Sequence, residues 1–394
     1  MGGAGGSGAA AVGGQGGRMN GGGAAGTTSG SGGRNAAGGA GGIRFGMGGP
    51  FPFPQNKVSG MCTLTTVADA AQTVQTAYDE WKTTFVSANG AGAAGNLRVV
   101  RTTDSNDTVS EGIGYGMLAA VYMGDRATFD GLWSYAKSHF DGKGLMHWQI
   151  NASNVVIGMG SATDADEDIA WALLMASNQW SSTAYLDDAK GQINGMVANS
   201  VASDGLLKPG DAWGNTSATF PDYFSPAYFP AFAAATNNPR WTGDIMDRNY
   251  EILMAVSGDK GLVPDRTTGT YQHNGITYLY DACRTPWRIA MDYCFRGEAR
   301  AKTYLNKIGA FFDGIGAANI VDGYSLTGTP TGTSKNMAFI GPAGVAGMAG
   351  WPKLLDDAFT YGAQNLGGQQ YYPQSLKIIT MQMMSGNFLD YSRL

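Results

Sequence analysis

Apolar residues recur along most of this chain with the period of a helix rather than that of a strand. The clearest stretch is Gly158–Trp180, GMGSATDADEDIAWALLMASNQW. There Ile169, Ala172, Leu173, Ala176 and Trp180 fall at i, i+3, i+4, i+7 and i+11, one face of an amphipathic helix. The same reading predicts helices over 65–86, 110–123, 127–139, 164–180, 184–200, 224–236, 241–256, 284–295, 298–313, 336–349, 352–365 and 374–384. Loops rich in Gly, Asn and Asp separate them, with only short β-like pieces such as Thr277–Tyr280. About a dozen helices without alternating strands predict an all-α array of helical hairpins and exclude an α/β fold. Such pairs can close into a double ring, with the N-termini of the inner helices and their loops lining one cleft.

The pattern is absent from the first 50 residues, which hold 23 of the 61 Gly and no Asp or Glu. A segment so poor in large apolar side chains cannot offset its ordering entropy, so residues 1–57 are expected to be a disordered Gly-rich tail or linker. PFPFP at 50–54 closes it, and a single large domain is expected over 58–394. The tail lacks the charged start and apolar run of an export signal. An exported, extracytoplasmic protein would therefore carry its signal ahead of this chain.

Charge and composition narrow the function. Lys+Arg 26 against Asp+Glu 31 leave a net charge of -5, which argues against nucleic acid, a partner that wants a basic surface. No apolar run reaches the ~18 residues of a membrane span. The 9 Trp and 18 Tyr suit either a large core or a surface that stacks on sugar faces. Three cysteines and three scattered histidines show no metal-ligand spacing, so neither a structural zinc nor a cofactor is expected. Cys283 and Cys294 sit in one predicted helix, roughly 16 Å apart, too far to bridge. Buried free thiols are expected, with a bridge from Cys62 to one of them as the alternative.

Candidate chemistry gathers at predicted helix starts. Asp164, Asp166, Glu167 and Asp168 precede the apolar stripe of the 164–180 helix, with Thr163 or Asp164 as its N-cap. In VSEGIGYGM, Ser110 is placed as the N-cap and Glu111 as the first helical residue. The glycines 112, 114 and 116 each cost roughly 1 kcal/mol relative to Ala inside a helix, a cost that close approach of a substrate or a second helix would offset. Tyr280 and Asp281 precede a helix whose first turn holds Pro286. Ordinary caps that favour the helix dipole would explain each acid singly. Two carboxylates across a cleft, however, are what glycoside hydrolysis requires, one protonated and one ionised. An EF-hand reading of DADED fails, because Ile169 follows Asp168 where Gly is needed.

Taken in order, SEGIGYGM, LMHW, SATDADEDIAWALLMA, YFSPAYF and YDACRTPWR resemble glycoside hydrolase family 8 over about residues 60–394. The resemblance implies an (α/α)6 barrel of six helical hairpins, an open cleft and inverting, metal-free cleavage of β-1,4-glucan. By motif it implies Glu111 as general acid, Asp281 as base, and Asp164 as the acid that holds the sugar at the cleavage point, with Asp166 close enough to share that role. Trp148, Trp213, Tyr223, Tyr280 and Arg284 match positions that line the sugar subsites. A chitosanase on the same scaffold and a catalytically silent carbohydrate-binding protein are the alternatives, and a monomer is expected. A glutamate at a helix N-terminus has its pKa lowered by the dipole. To serve as an acid near neutrality it must be raised by burial or by neighbouring anions, for which Asp164 and Asp166 are available.

Overall fold

Two kinds of helix alternate along the chain. The computed structural model describes residues 42–58, 60–213, 218–273, 277–365 and 367–394. Six helices show the one-sided burial of amphipathic elements: α1 (Ala70–Phe85), α3 (Arg126–Ser138), α5 (Thr183–Asn199), α7 (Asp244–Val256), α9 (Ala299–Ile315) and α11 (Pro352–Gln364). Their partners α2 (Ser110–Met123), α4 (Thr163–Gln179), α8 (Thr285–Arg296), α10 (Met337–Gly347) and α12 (Tyr371–Met384) are largely buried, α4 and α10 along their whole length, and the short α6 (Phe229–Thr236) buries Phe229, Ala231 and Phe232. A helix buried all round belongs inside a ring, and one apolar on a single face belongs outside it. The two sets therefore form an (α/α)6 barrel. Contacts of α2 with both α4 and α12 close the inner ring, and the 3₁₀ turn Pro221–Tyr223 fills the space between α4 and α8.

Small strands shape the loops at the cleft end. In β3 (Thr108–Val109), β4 (Gln149–Ile150) and β5 (Val156–Gly158) the order is β3-β4-β5, all antiparallel. Ser110 N donates to Trp148 O at 3.0 Å, which fixes Trp148 beside the start of α2. β6 (Ala218–Thr219) pairs antiparallel with β7 (Thr267–Thr268), and β1 (Val86–Ser87) with β2 (Arg98–Val99). The expected β-like piece at Thr277–Tyr280 reduces to one bridge, Tyr278 to Tyr324.

The structure corrects three expectations. Of the expected tail, residues 1–41 lie outside the described residues, but 42–57 run along the barrel, so Val58 is too late a boundary. Met47 N and Gln55 N donate to the Asn178 and Asn387 side chains, Arg44 N donates to Ser392 O at 2.9 Å, and Phe51 stacks on Tyr391 at 4.4 Å. Gly49 marks close approach: a Cβ there would stand 2.2 Å from Asn178 O. Free thiols give way to a disulfide between Cys62 and Cys294, with Cys283 free and buried. Met61 N donates to Cys294 O at 3.3 Å, so backbone pairing brings the two cysteines together across 232 residues of sequence, a proximity no local spacing encodes. Finally, the caps shift by one: Val109 and Ala162 are the N-caps, and neither Ser110 nor Thr163 caps through its side chain.

Residues 42–57 should therefore behave as part of the barrel. Removing 1–57 is expected to lower unfolding stability by ~2–4 kcal/mol relative to removing 1–41, since several partly buried hydrogen bonds are lost. Urea denaturation of the two truncated proteins reads the difference, and equal midpoints would show that the 42–57 strap contributes nothing.

Candidate active site

Inner helices α2, α4 and α8 present their N-termini to the same end of the ring, and their first turns meet around Arg284. This guanidinium is 2 % exposed. Its Nη1 donates to Glu111 Oε2 at 2.7 Å, Asp164 Oδ2 at 2.6 Å and the Tyr115 hydroxyl at 3.1 Å. Its Nη2 pairs with the buried Asp222 and lies 3.9 Å from Asp281 Oδ1. Tyr223 and Tyr372 flank its faces, at 5.4 and 5.9 Å from the ring centres. Four carboxylates thus share one cation.

Glu111 keeps a fifth of its side chain exposed. Burial raises its carboxyl from the ordinary range to about 7; nearby Asp164 and Asp281 push the same way, while Arg284 and the Tyr371 hydrogen bond oppose. Tyr371, at the start of α12, donates to Glu111 Oε1 at 2.9 Å. Burial also holds Asp222 well above the usual carboxylate range despite its pairing with Arg284. Asp281, one-third exposed, faces the Arg266 side chain at 3.8 Å.

The run DADED is divided by the pitch of α4. Asp164 faces the cleft, whereas Asp166 is fully buried and borders neither cleft cavity. Burial pushes the Asp166 carboxyl well up, partly offset by the Ser161 hydroxyl. Glu167 is equally buried. Asp168 accepts from both Nη atoms of Arg288 and, at 3.1 Å, from the Tyr228 hydroxyl. Of the two acids offered for holding the sugar, Asp164 pairs with Arg284 and borders the cleft, and Asp166 does neither.

Two adjoining hollows make that cleft. One, of about 530 Å³, is walled by Trp148, Trp213, Phe220, Tyr223, Arg266 and Asp164. The other, of about 360 Å³, is walled by Tyr280, Tyr371, Tyr372, Asp104 and Gln370. Arg101, Glu111 and Asp281 border both, so the two acids stand at the join. All the aromatic and arginine positions expected from the sequence lie here or against it. Residues 214–217, between Trp213 and Phe220, lie outside the described residues. Asp222, Tyr371 and Tyr372 escaped the sequence reading, although YYP before an apolar run at 371–373 is the same helix-start signature that marked Glu111 and Asp164.

The glycines of α2 answer to neighbouring helices rather than to a substrate. A Cβ on Gly112 would stand 3.0 Å from the Tyr371 hydroxyl, one on Gly114 3.0 Å from Asp168 Cβ, and one on Gly116 2.7 Å from Leu132 Cδ1.

A half-protonated acid set against a second carboxyl, with sugar-sized hollows on both sides, is equipped to break an acetal bond inside a polymer, the chemistry of glycoside hydrolases. The chain belongs to glycosyl hydrolases family 8, whose family model matches residues 51–386. It is 40% identical over 329 residues to Endoglucanase A of Acetivibrio thermocellus, covering 79% of this chain and 68% of that protein. It is 36% identical to the Beta-glucanase of Niallia circulans, over 86% of this chain and 91% of the relative. Among solved structures, the Beta-1,3-1,4-glucanase from Paenibacillus sp.X4 superposes with a TM-score of 0.79 at 34% identity, covering 86% of this chain and 98% of that one.

Removing the central cation should unfold the cluster. Arg284→Ala leaves Asp164 buried without its counter-charge and Asp222 without its partner, at an expected cost of about 3–5 kcal/mol. Arg284→Lys should recover little, because an ammonium lacks the fork that serves both sides. Wild-type stability in chemical denaturation of either variant would contradict this account.

Proposed function

We propose that this protein is an endo-acting β-glucanase that hydrolyses β-1,4-linkages in cellulose-type or mixed-linkage glucans with inversion of configuration. Glu111 serves as general acid, Asp281 as general base, and Asp164 holds the sugar at the cleavage point. The observation that carries the reading is the pair Glu111 and Asp281 at the join of two open hollows, the acid raised to about 7. A chain can enter from one hollow and leave through the other, as cleavage within a polymer requires. The relatives' names, Endoglucanase A and Beta-glucanase, support the substrate class.

In this mechanism Glu111 passes its proton to the bridging oxygen as the bond to the anomeric carbon breaks. A water on the opposite face attacks that carbon and loses its proton to Asp281. Turnover ends with Glu111 ionised and Asp281 protonated, and exchange with solvent restores both. Arg284 binds Glu111 Oε2 and Nη2 lies 3.9 Å from Asp281. One guanidinium therefore spans both acids, which limits their nearest oxygens to about 9 Å or less, a bound that does not exceed the ~6.5–9.5 Å of a pair with water between them. Trp148 and Tyr280, both partly exposed, offer flat faces to sugar rings. A site complete within one chain supports a monomeric enzyme, and the Cys62–Cys294 bridge supports an oxidising, extracytoplasmic location.

Two measurements bear on these roles. Because Glu111 must be protonated to act and ionises near pH 7, kcat/KM should fall as pH rises through about 7, rather than near the ordinary glutamate value. Glu111→Gln should lower kcat on unactivated glucan by ~10³-fold or more while cello-oligosaccharide binding survives. A correctly folded Glu111→Gln enzyme with near wild-type turnover would remove the assignment. For Asp281, the first sugar released from a β-1,4-glucan should carry the α-configuration, seen by proton NMR before mutarotation. Asp281→Asn should be inactive, and azide should yield no β-glycosyl azide. An initial β-anomer would show retention and end the role given to Asp281 as base.

A further inference from the structure

The turn that carries Asp281 is held from behind by a residue that borders neither hollow. Asp265 Oδ1 accepts from Leu279 N and from Ala282 N, each at 2.9 Å. These two amides bracket Tyr280–Asp281, so a single carboxylate oxygen fixes the backbone on both sides of Asp281. Asp265 N in turn donates to Thr277 O at 3.2 Å, which closes the clasp. Elsewhere on the turn Cys283 N donates to Leu279 O at 3.0 Å and the Tyr372 hydroxyl donates to Tyr280 O, while the amides on either side of Tyr280–Asp281 go to Asp265. Asp281 makes no side-chain cap, and only the three-residue 3₁₀ turn Ala282–Arg284 separates it from α8. Burial pushes the Asp265 carboxyl up from its ordinary range, and the two amide bonds oppose that shift.

The segment after Asp265 reaches the cleft itself. Arg266 stands 3.8 Å from Asp281 Oδ2, with its guanidinium 5.1 Å over the Phe220 ring. Thr267–Thr268 then pairs with β6, next to the aromatic wall.

We propose that Asp265 is a positioning residue for hydrolysis: through the amides of 279 and 282 it holds the Asp281 carboxylate where it can take a proton from the attacking water. This rests on the reading of Asp281 as the base. Asp265 touches neither sugar nor water; it acts through Asp281. Misplacing a reacting group by about 1 Å costs on the order of 100-fold in rate, and loss of the clasp leaves the amides on both sides of Asp281 without their acceptor.

The experiment compares Asp265→Ala, Asp265→Ser, Asp265→Asn and Asp281→Asn by kcat and KM on soluble β-glucan, cello-oligosaccharide binding by calorimetry, and thermal unfolding. Asp265→Ala should lose kcat by about 100-fold with KM changed by no more than about twofold. Asp265→Asn should keep most of kcat, because its amide oxygen still accepts both backbone bonds. Asp265→Ser, whose shorter side chain cannot span both amides, should fall between, and it carries the test if the alanine protein does not fold. Full kcat in the folded alanine or serine variant overturns the proposal. So does an asparagine variant as impaired as alanine, and so does a rise in KM at unchanged kcat. Near wild-type activity of Asp281→Asn would instead sink the base reading itself. An inactive Asp281→Asn together with an unaffected Asp265→Ala sinks the clasp alone.

Discussion

One buried guanidinium sets the terms for everything at the open end of the barrel. Arg284 lies between Glu111, Asp164, Asp222 and Asp281, and it supplies a single positive charge. Four ionised carboxylates around one cation, largely out of water, would leave net negative charge in a poorly screened space. The cluster relieves that excess by keeping protons: Asp222 is held well above the usual range and Glu111 is raised to about 7. Glu111 is therefore an acid near neutrality chiefly because it is buried, and because neighbouring carboxylates add to what one arginine cannot neutralise. The sequence expectation was burial or a neighbouring anion, with Asp164 and Asp166 available as the anions. The structure assigns it to burial first, then to Asp164 and Asp281.

Such crowding requires the inner helices to lie close together. On α2 the glycines at 112, 114 and 116 leave room for Tyr371, for α4 and for Leu132 of α3, respectively. Gly112 links packing to chemistry most directly, since the tyrosine it admits donates to Glu111 Oε1. The roughly 1 kcal/mol that each glycine costs a helix is offset by contact that any side chain would prevent. A second ion pair, Arg288 with Asp168, lies behind the first and ties α8 to α4 below the cleft. The site is thus a consequence of how tightly α2, α4, α8 and α12 converge, and the loops above them supply the aromatic walls.

Much of the architecture was legible in the chain by itself. Helix α2 falls at 110–123 as expected, and α3, α4 and α5 lie within one residue of their predicted spans, because amphipathic period and turn residues are local signals. Glu111, Asp164 and Asp281 were legible for the same reason: each sits at a helix start, where acid, glycine and aromatic neighbours stand out within a few residues. What the tertiary structure alone decided is which groups meet. The Cys62–Cys294 bridge, the docking of residues 42–57 and the recruitment of Asp222 and Tyr371 join residues far apart in the chain. Desolvation and pairing depend on distances between side chains that can be more than a hundred positions apart. A local pattern carries no such distances, so protonation state and partner choice appear only once the ring has closed.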